Sequence, residues 1–122
     1  MTTEQQRKIL EFAAKACGVE LEPFIAGKKP CRLIEDESGE GYISVLWNPL
    51  TSPADCAEMC AKLLIDTCFY LQLGRVTCDF YYGTDNIRDR VRVEFKDHDN
   101  SRLKAWMYAA TTCAAKTQGY EE

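Results

Sequence analysis

The sequence predicts an α+β fold, a mostly antiparallel sheet covered by helices, and three observations lead there. Apolar residues recur at helical spacing in three segments, one early, one central and one late. Between them lie five short stretches with period-two patterning, joined by brief turns rich in Gly, Asp and Asn. The segment 41–55 changes period within a few residues, from a strand through a Trp-Asn-Pro corner into a helix. The resulting order is helix, two strands, helix, three strands, helix, within a single domain spanning 1–122. Short connections between strands favour antiparallel pairing.

The first helix is expected over 4–17, with Thr3 and Gln6 as its capping box and Gly18 as the residue that ends it. Ile9, Phe12, Ala13, Ala16 and Cys17 form its apolar stripe. Val19 to Glu22 reads as irregular or a short edge piece. Cys31 to Glu35 and the strand ending at Trp47 form a hairpin around Asp36–Gly41. Ile43, Val45 and Trp47 alternate with Tyr42, Ser44 and Leu46, a pattern that fits a strand covered on both faces. Pro49 cannot donate to a ladder, so this strand stops at Trp47 or Asn48. Ser52 is the N-cap of the second helix and Pro53 its first residue, with Asp55 three positions after the cap.

The second helix is expected to reach about Ile65, burying Cys56, Met59, Cys60, Leu63 and Leu64. Cys68 to Leu73 reads as a strand with Phe69, Leu71 and Leu73 on one face. Val76, Cys78, Phe80 and Tyr82 are the inward side of the next strand, and Val91, Val93 and Phe95 of the last. Asn100 or Ser101 caps the final helix. There Leu103, Trp106, Met107, Ala110, Cys113 and Ala114 follow an amphipathic spacing, and Gly119 lies just past the end.

The totals exclude several classes. With 46% hydrophobic and 28% charged residues the chain is globular. A net charge of −4 argues against direct nucleic-acid binding, which needs a basic surface. No apolar run reaches membrane-spanning length, and the polar start Met1–Gln6 lacks the order of a signal peptide, so the cytoplasm is the expected location. Seven cysteines, an odd number in a chain expected to stay in a reducing compartment, read as small buried hydrophobes.

Candidate chemistry is sparse. Cys56 and Cys60 lie one helical turn apart, but the chain has a single His and no close Cys-x-x-Cys pair, so no metal and no cofactor are expected. Asp97, His98 and Asp99 can hold a divalent ion or shuttle protons. The simpler reading is a polar loop that turns the chain and caps a helix. Arg88, Arg90 and Arg92 point one way from their strand, as a row for phosphates or an acidic protein patch, or as cross-strand partners of residues such as Asp79. Glu35, Asp36, Glu37 and Glu40 concentrate negative charge on one turn, suited to a basic protein surface. These two charged groups are the expected partner-binding residues, and no catalytic residues are assigned.

The segment at Trp47-Asn48-Pro49 resembles the small tailed-phage and prophage proteins of the phage ABA-sandwich domain family. The resemblance extends to a first helix running from Ile9-Leu10 through Ala16-Cys17-Gly18. It continues in the Ala-rich helix Ala54 to Leu63 and the closing Ala105-Trp106-Met107-Tyr108-Ala109-Ala110. The hairpin Cys31–Leu46 and the arginine strand have no counterpart in it. The resemblance implies no catalytic residue. It implies a phage accessory protein in a bacterial host, a setting in which inhibitors of defence systems, including anti-CRISPR proteins, are common. The expected function is therefore binding of a host protein, such as a nucleic-acid-binding defence effector, without catalysis, as a monomer or homodimer. The alternatives are a self-associating phage assembly factor and a small hydrolase using Asp97, His98 and Asp99.

Overall fold

The chain runs α1 (Thr3–Cys17), β1 (Cys31–Glu35), β2 (Tyr42–Leu46), α2 (Pro53–Leu63), β3 (Asp66–Tyr70), β4 (Arg75–Tyr82), β5 (Asn86–Glu94) and α3 (Arg102–Lys116). Short 3₁₀ turns follow β3 at Leu71–Leu73 and β5 at Phe95–His98. The computed structural model describes residues 2–21, 30–35, 37–39, 41–82 and 86–121. The class is α+β, as the sequence predicts. The strands form two separate antiparallel sheets, β1-β2 and β3-β4-β5.

Helix α3 lies at the centre. One side of it packs on β4 and β5, and the other on α1 and α2. The residues that face it are Ile9, Leu10, Ala13, Ala14 and Cys17 of α1, Cys56 and Met59 of α2, and Val76, Cys78, Val91 and Val93 of the sheet, all buried in one cluster. From Ala109 to Ala115 every residue of α3 is buried, so this half is enclosed on all sides. That corrects the amphipathic reading of the last helix. Its small side chains let neighbours approach from every direction, whereas Leu103, expected in the stripe, stands exposed near the start.

Local signals set the ends of the helices. Thr2 Oγ1 accepts from Gln5 N at 3.1 Å, and Thr2 N donates to Gln5 Oε1 at 2.8 Å. The capping box therefore sits one residue earlier than the Thr3–Gln6 pair, which has the same spacing. Gly18, at φ 70°, ends α1 in the left-handed region that glycine tolerates best. Ser101 caps α3, its Oγ accepting from Lys104 N at 3.1 Å.

The Trp47 corner is held by polar contacts on both sides. Trp47 N donates to Pro30 O at 3.0 Å. Asn48 Oδ1 accepts from Leu50 N at 3.0 Å, while Asn48 N donates to Asp55 Oδ2 at 2.9 Å. Ser52 caps α2 through Asp55 N at 3.3 Å, with Pro53 at the first helical position. Asp55 thus fastens the corner to the helix. Trp47 is 2% exposed, inserted beneath it.

Three further expectations are corrected. Strand β2 is not covered on both faces, since Ile43 and Leu46 are exposed. Helix α2 ends at Leu63, and Leu64, at φ 56°, turns outward to 77% exposure instead of closing the buried stripe. The stretch Cys68–Leu73 is not one strand with an inward face. Strand β3 begins at Asp66 and stops at Tyr70, Leu71–Leu73 form the 3₁₀ turn, and Phe69, Leu71 and Leu73 are exposed. No described helix is long and apolar enough to cross a membrane.

Two substitutions test this core. Trp47→Ala is expected to lower stability by about 3–5 kcal/mol through the cavity it leaves, and an unchanged urea midpoint would remove the corner from the core. Thr111 and Thr112 are fully buried on α3, and neither hydroxyl has a hydrogen-bond partner among the described residues. Thr112→Val keeps the shape and deletes the unpaired hydroxyl, so the protein is expected to gain about 1 kcal/mol. A loss of stability in the same denaturation assay would mean that the hydroxyl is bonded.

Candidate functional site

Two features of the surface are candidate sites: the free edge of the three-stranded sheet and a polar cleft at the far end of β5. The edge begins where α2 stops. Ile65 is buried and its N–H bonds Cys60 O at 3.0 Å, which turns the chain out of the helix and into β3. Strand β3 pairs with β4 from Asp66↔Asp79 through Cys68↔Thr77 to Tyr70↔Arg75. Gly74, at φ 66°, then closes the Leu71–Leu73 turn, and its carbonyl accepts from Phe95 N at 2.8 Å.

The sheet has an inner face against α3 and an outer face open to solvent. Thr67 points inward, where its Oγ1 accepts from Trp106 Nε1 at 3.1 Å and meets Cys78 Sγ at 3.6 Å. Alternation places Asp66, Cys68 and Tyr70 on the outer face. Leu64, Phe69, Tyr70, Leu71 and Leu73 are all exposed, and along the chain they make an apolar ridge that starts before this edge strand and runs past it, with Phe69 on the inner side and Tyr70 on the outer. Edge strands are usually blunted by lysine, proline or a bulge. Strand β3 carries neither residue type and pairs in unbroken register, with Asp66 its only charge.

The outer face carries the arginines. Arg90 lies directly across from Asp79, donating from Nε at 2.8 Å and from Nη2 at 3.3 Å in a two-pronged ion pair. This is the cross-strand partnership weighed for it in the sequence. Arg75 lies 6.0 Å from the Tyr70 ring centroid, a cation–π contact at the end of the ridge. A side-chain hydrogen bond with Cys68 raises the Tyr70 pKa, against a smaller lowering by the Arg90 charge. The side chain of Arg88 lies outside the described residues. So do Asp36 and Glu40 of the acidic turn and the side chain of Glu35, whose backbone closes β1, while Glu37 is exposed.

Arg92 belongs to the cleft. It lines a cavity of about 480 Å³ with Glu94, Asp97, His98, Tyr108 and Tyr120, floored by Ile9 of α1. The His98 ring lies 4.8 Å from that of Tyr108 at 35°. The fold thus joins one member of the arginine row to two members of the Asp97-His98-Asp99 cluster, a convergence invisible in linear order. Asp99 is absent from it. Its carboxylate accepts from Lys104 Nζ at 3.0 Å, and that bond holds its pKa below the usual range. Among the described residues no Ser, Thr or Cys lines the cleft. Among the described residues no group of three His, Cys, Asp or Glu side chains is placed to hold a metal ion.

The cysteines divide by environment. Cys17, Cys56, Cys78 and Cys113 are buried, Cys31 and Cys60 half-buried, and Cys68 exposed. Burial pushes the Cys17 thiol up to about 11 and that of Cys78 up to about 12. Cys56 is raised by its hydrogen bond to Cys60 and by burial, and Cys113 by burial. No family model, curated protein or solved structure matches the chain.

This arrangement fixes the order of thiol reactivity. In the native protein at mildly alkaline pH, Cys68 is expected to react first with a thiol reagent, and the buried four only on unfolding. Cys68→Ser removes the fast phase, and denatured wild-type protein titrates as seven thiols. A fast phase that survives Cys68→Ser would move the reactive thiol to half-buried Cys60, whose pKa its hydrogen bond with Cys56 lowers.

Proposed function

We propose that the chain acts by binding another protein through the ridge along β3, without a catalytic step of its own. The observation that carries this reading is the row Leu64, Phe69, Tyr70, Leu71 and Leu73, exposed on an unblunted sheet edge. Exposed apolar side chains on and beside the strand favour a partner over water, and a free strand edge offers main-chain donors and acceptors in register. Around it, Arg75 and Arg90 on the outer face and Arg92 at the cleft supply charge for orientation.

The cleft supports a non-catalytic role. Its histidine is in ring contact with Tyr108, and Asp99 is turned away to Lys104, so the Asp97-His98-Asp99 cluster does not converge there. The likeness of the Trp47 corner and the Ala-rich helices to phage ABA-sandwich proteins supports a bacterial host protein as the partner. It also supports inhibition of a defence system, of the anti-CRISPR type, as the biological outcome.

The test compares capture of partners from bacterial lysate by the wild type and by Phe69→Ser, Leu71→Ser, Leu73→Ser combined. All three residues are exposed, so the thermal melt is expected to hold. Affinity for a partner identified by mass spectrometry is expected to fall by about 100-fold. His98→Ala leaves binding unchanged. Binding lost only in Arg90→Gln with Arg92→Gln would move the contact to the arginines, and binding lost with His98→Ala would favour the cleft.

A further inference from the structure

We infer that the occupant of the β3 edge in the protein alone is a second copy of the same chain, paired antiparallel about Cys68. This rests on the reading of the ridge as a protein-binding surface and names what occupies it in the absence of a host protein. Each copy has one β3, and β3 is the edge strand of a sheet ordered β3-β4-β5. A two-fold axis at the middle residue of Asp66–Tyr70 pairs all five residues and makes one continuous six-stranded sheet. Pairing consumes the edge on both copies, so the assembly closes as a dimer.

The strand is complementary to itself in that register. Cys68 faces the partner's Cys68, Thr67 faces the partner's Phe69, and Asp66 faces the partner's Tyr70. Beyond the strand the same register brings the exposed Leu64 toward the partner's Leu71 turn. The charges agree as well. Within one chain Asp66 lies opposite Asp79, and Arg90 is committed to Asp79 through both oxygens. Asp66 has no ion pair among the described residues. Arg75 rests over Tyr70, the residue that the pairing sets against the partner's Asp66, so each copy brings a cation to within about two strand spacings, roughly 10 Å, of the other's Asp66. Strand β5, the other edge of this sheet, is charged at Arg88, Asp89, Arg90, Arg92 and Glu94 and is poorly suited to the same pairing.

The symmetric register makes a covalent test available. Directly opposed residues of antiparallel strands have Cα atoms about 4.5–5.5 Å apart, inside the roughly 4.4–6.8 Å that a disulfide spans. Added diamide accepts two electrons and two protons from the facing thiols as the S–S bond forms. The expected product is a covalent dimer whose linking peptide maps to Cys68 with Cys68. Sedimentation without oxidant is expected to show a reversible dimer in the micromolar range. Cys68→Ser loses the crosslink and keeps that dimer, and Cys68→Lys, which sets two like charges on the axis, sediments as a monomer with its melt unchanged. Arg75→Gln weakens the dimer by about tenfold.

A wild-type chain that sediments as a monomer throughout that range overturns the inference. So does a dimer that fails to link through Cys68 and is dispersed by Ile43→Lys on the free edge of β2. The two readings fail separately. A monomer whose lysate partner is lost with the Phe69, Leu71 and Leu73 changes ends self-pairing and leaves the binding reading intact. A Cys68-linked dimer whose lysate capture survives those changes supports self-pairing and ends the role of the ridge in holding a host protein.

Discussion

The enclosure of α3 on all sides is the constraint from which the rest of the architecture follows. A helix buried all round can present no large polar face, and it must let a sheet and two other helices approach its backbone at once. The run Ala109-Ala110-Thr111-Thr112-Cys113-Ala114-Ala115 meets both demands with side chains of small volume. Close packing makes such a helix intolerant of enlargement, because neighbours on every side would have to retreat together. Its end is secured locally: Thr117 Oγ1 donates to Ala114 O at 2.7 Å, and the Tyr120 ring lies 5.7 Å from that of Phe12 on α1.

Spending all three helices around this centre leaves the sheet half covered. Helices α1 and α2 pack on α3, and α3 alone covers one face of β3-β4-β5. The outer face therefore keeps charged and hydroxyl-bearing side chains, and the Arg90–Asp79 pair is possible only because both residues lie where water can reach them. Strand β3 lies farthest from α3, so Phe69 stays exposed although it shares the inner side with Thr67. The open surface is a consequence of the core, and an account of function has to begin from it.

Much of the fold was legible because its signals are local. The capping residues Ser52 and Ser101, the stop at Gly18 and the Trp47 corner each depend on a few neighbours, and the structure places them at or within a residue of where the sequence does. The inward alternation of Val76 with Cys78 and of Val91 with Val93 is equally direct. The misreadings share one cause. Alternation records which residues share a face and is silent on whether anything covers that face, so Phe69, Leu71 and Leu73 look like a core stripe while standing in solvent. The same silence made β2 look covered. Helix α3 misleads in the opposite sense, since Ala, Thr and Cys are unremarkable in polarity and hide a burial that reaches round the helix. For the candidate site, Arg90 with Asp79 could be read from strand parity, whereas Arg92 beside His98 and Tyr108 needed the tertiary structure.

The two edges of the three-stranded sheet have been treated differently by the sequence. Strand β5 carries Arg88, Asp89, Arg90, Arg92 and Glu94, which disfavours the approach of another strand through the cost of stripping water from those charges. Strand β3 carries a single carboxylate at its start and apolar or neutral side chains thereafter. An indifferent surface would not be expected to concentrate exposed leucine and aromatic residues on one edge and charge on the other. The asymmetry also limits the outcome of association. A sheet with two open edges can add copies without end, whereas one with a single open edge is satisfied by one strand from one partner. Within the three-stranded sheet, pairing at β3 would leave only the charged β5 edge, which resists the open-ended stacking that bare edges invite.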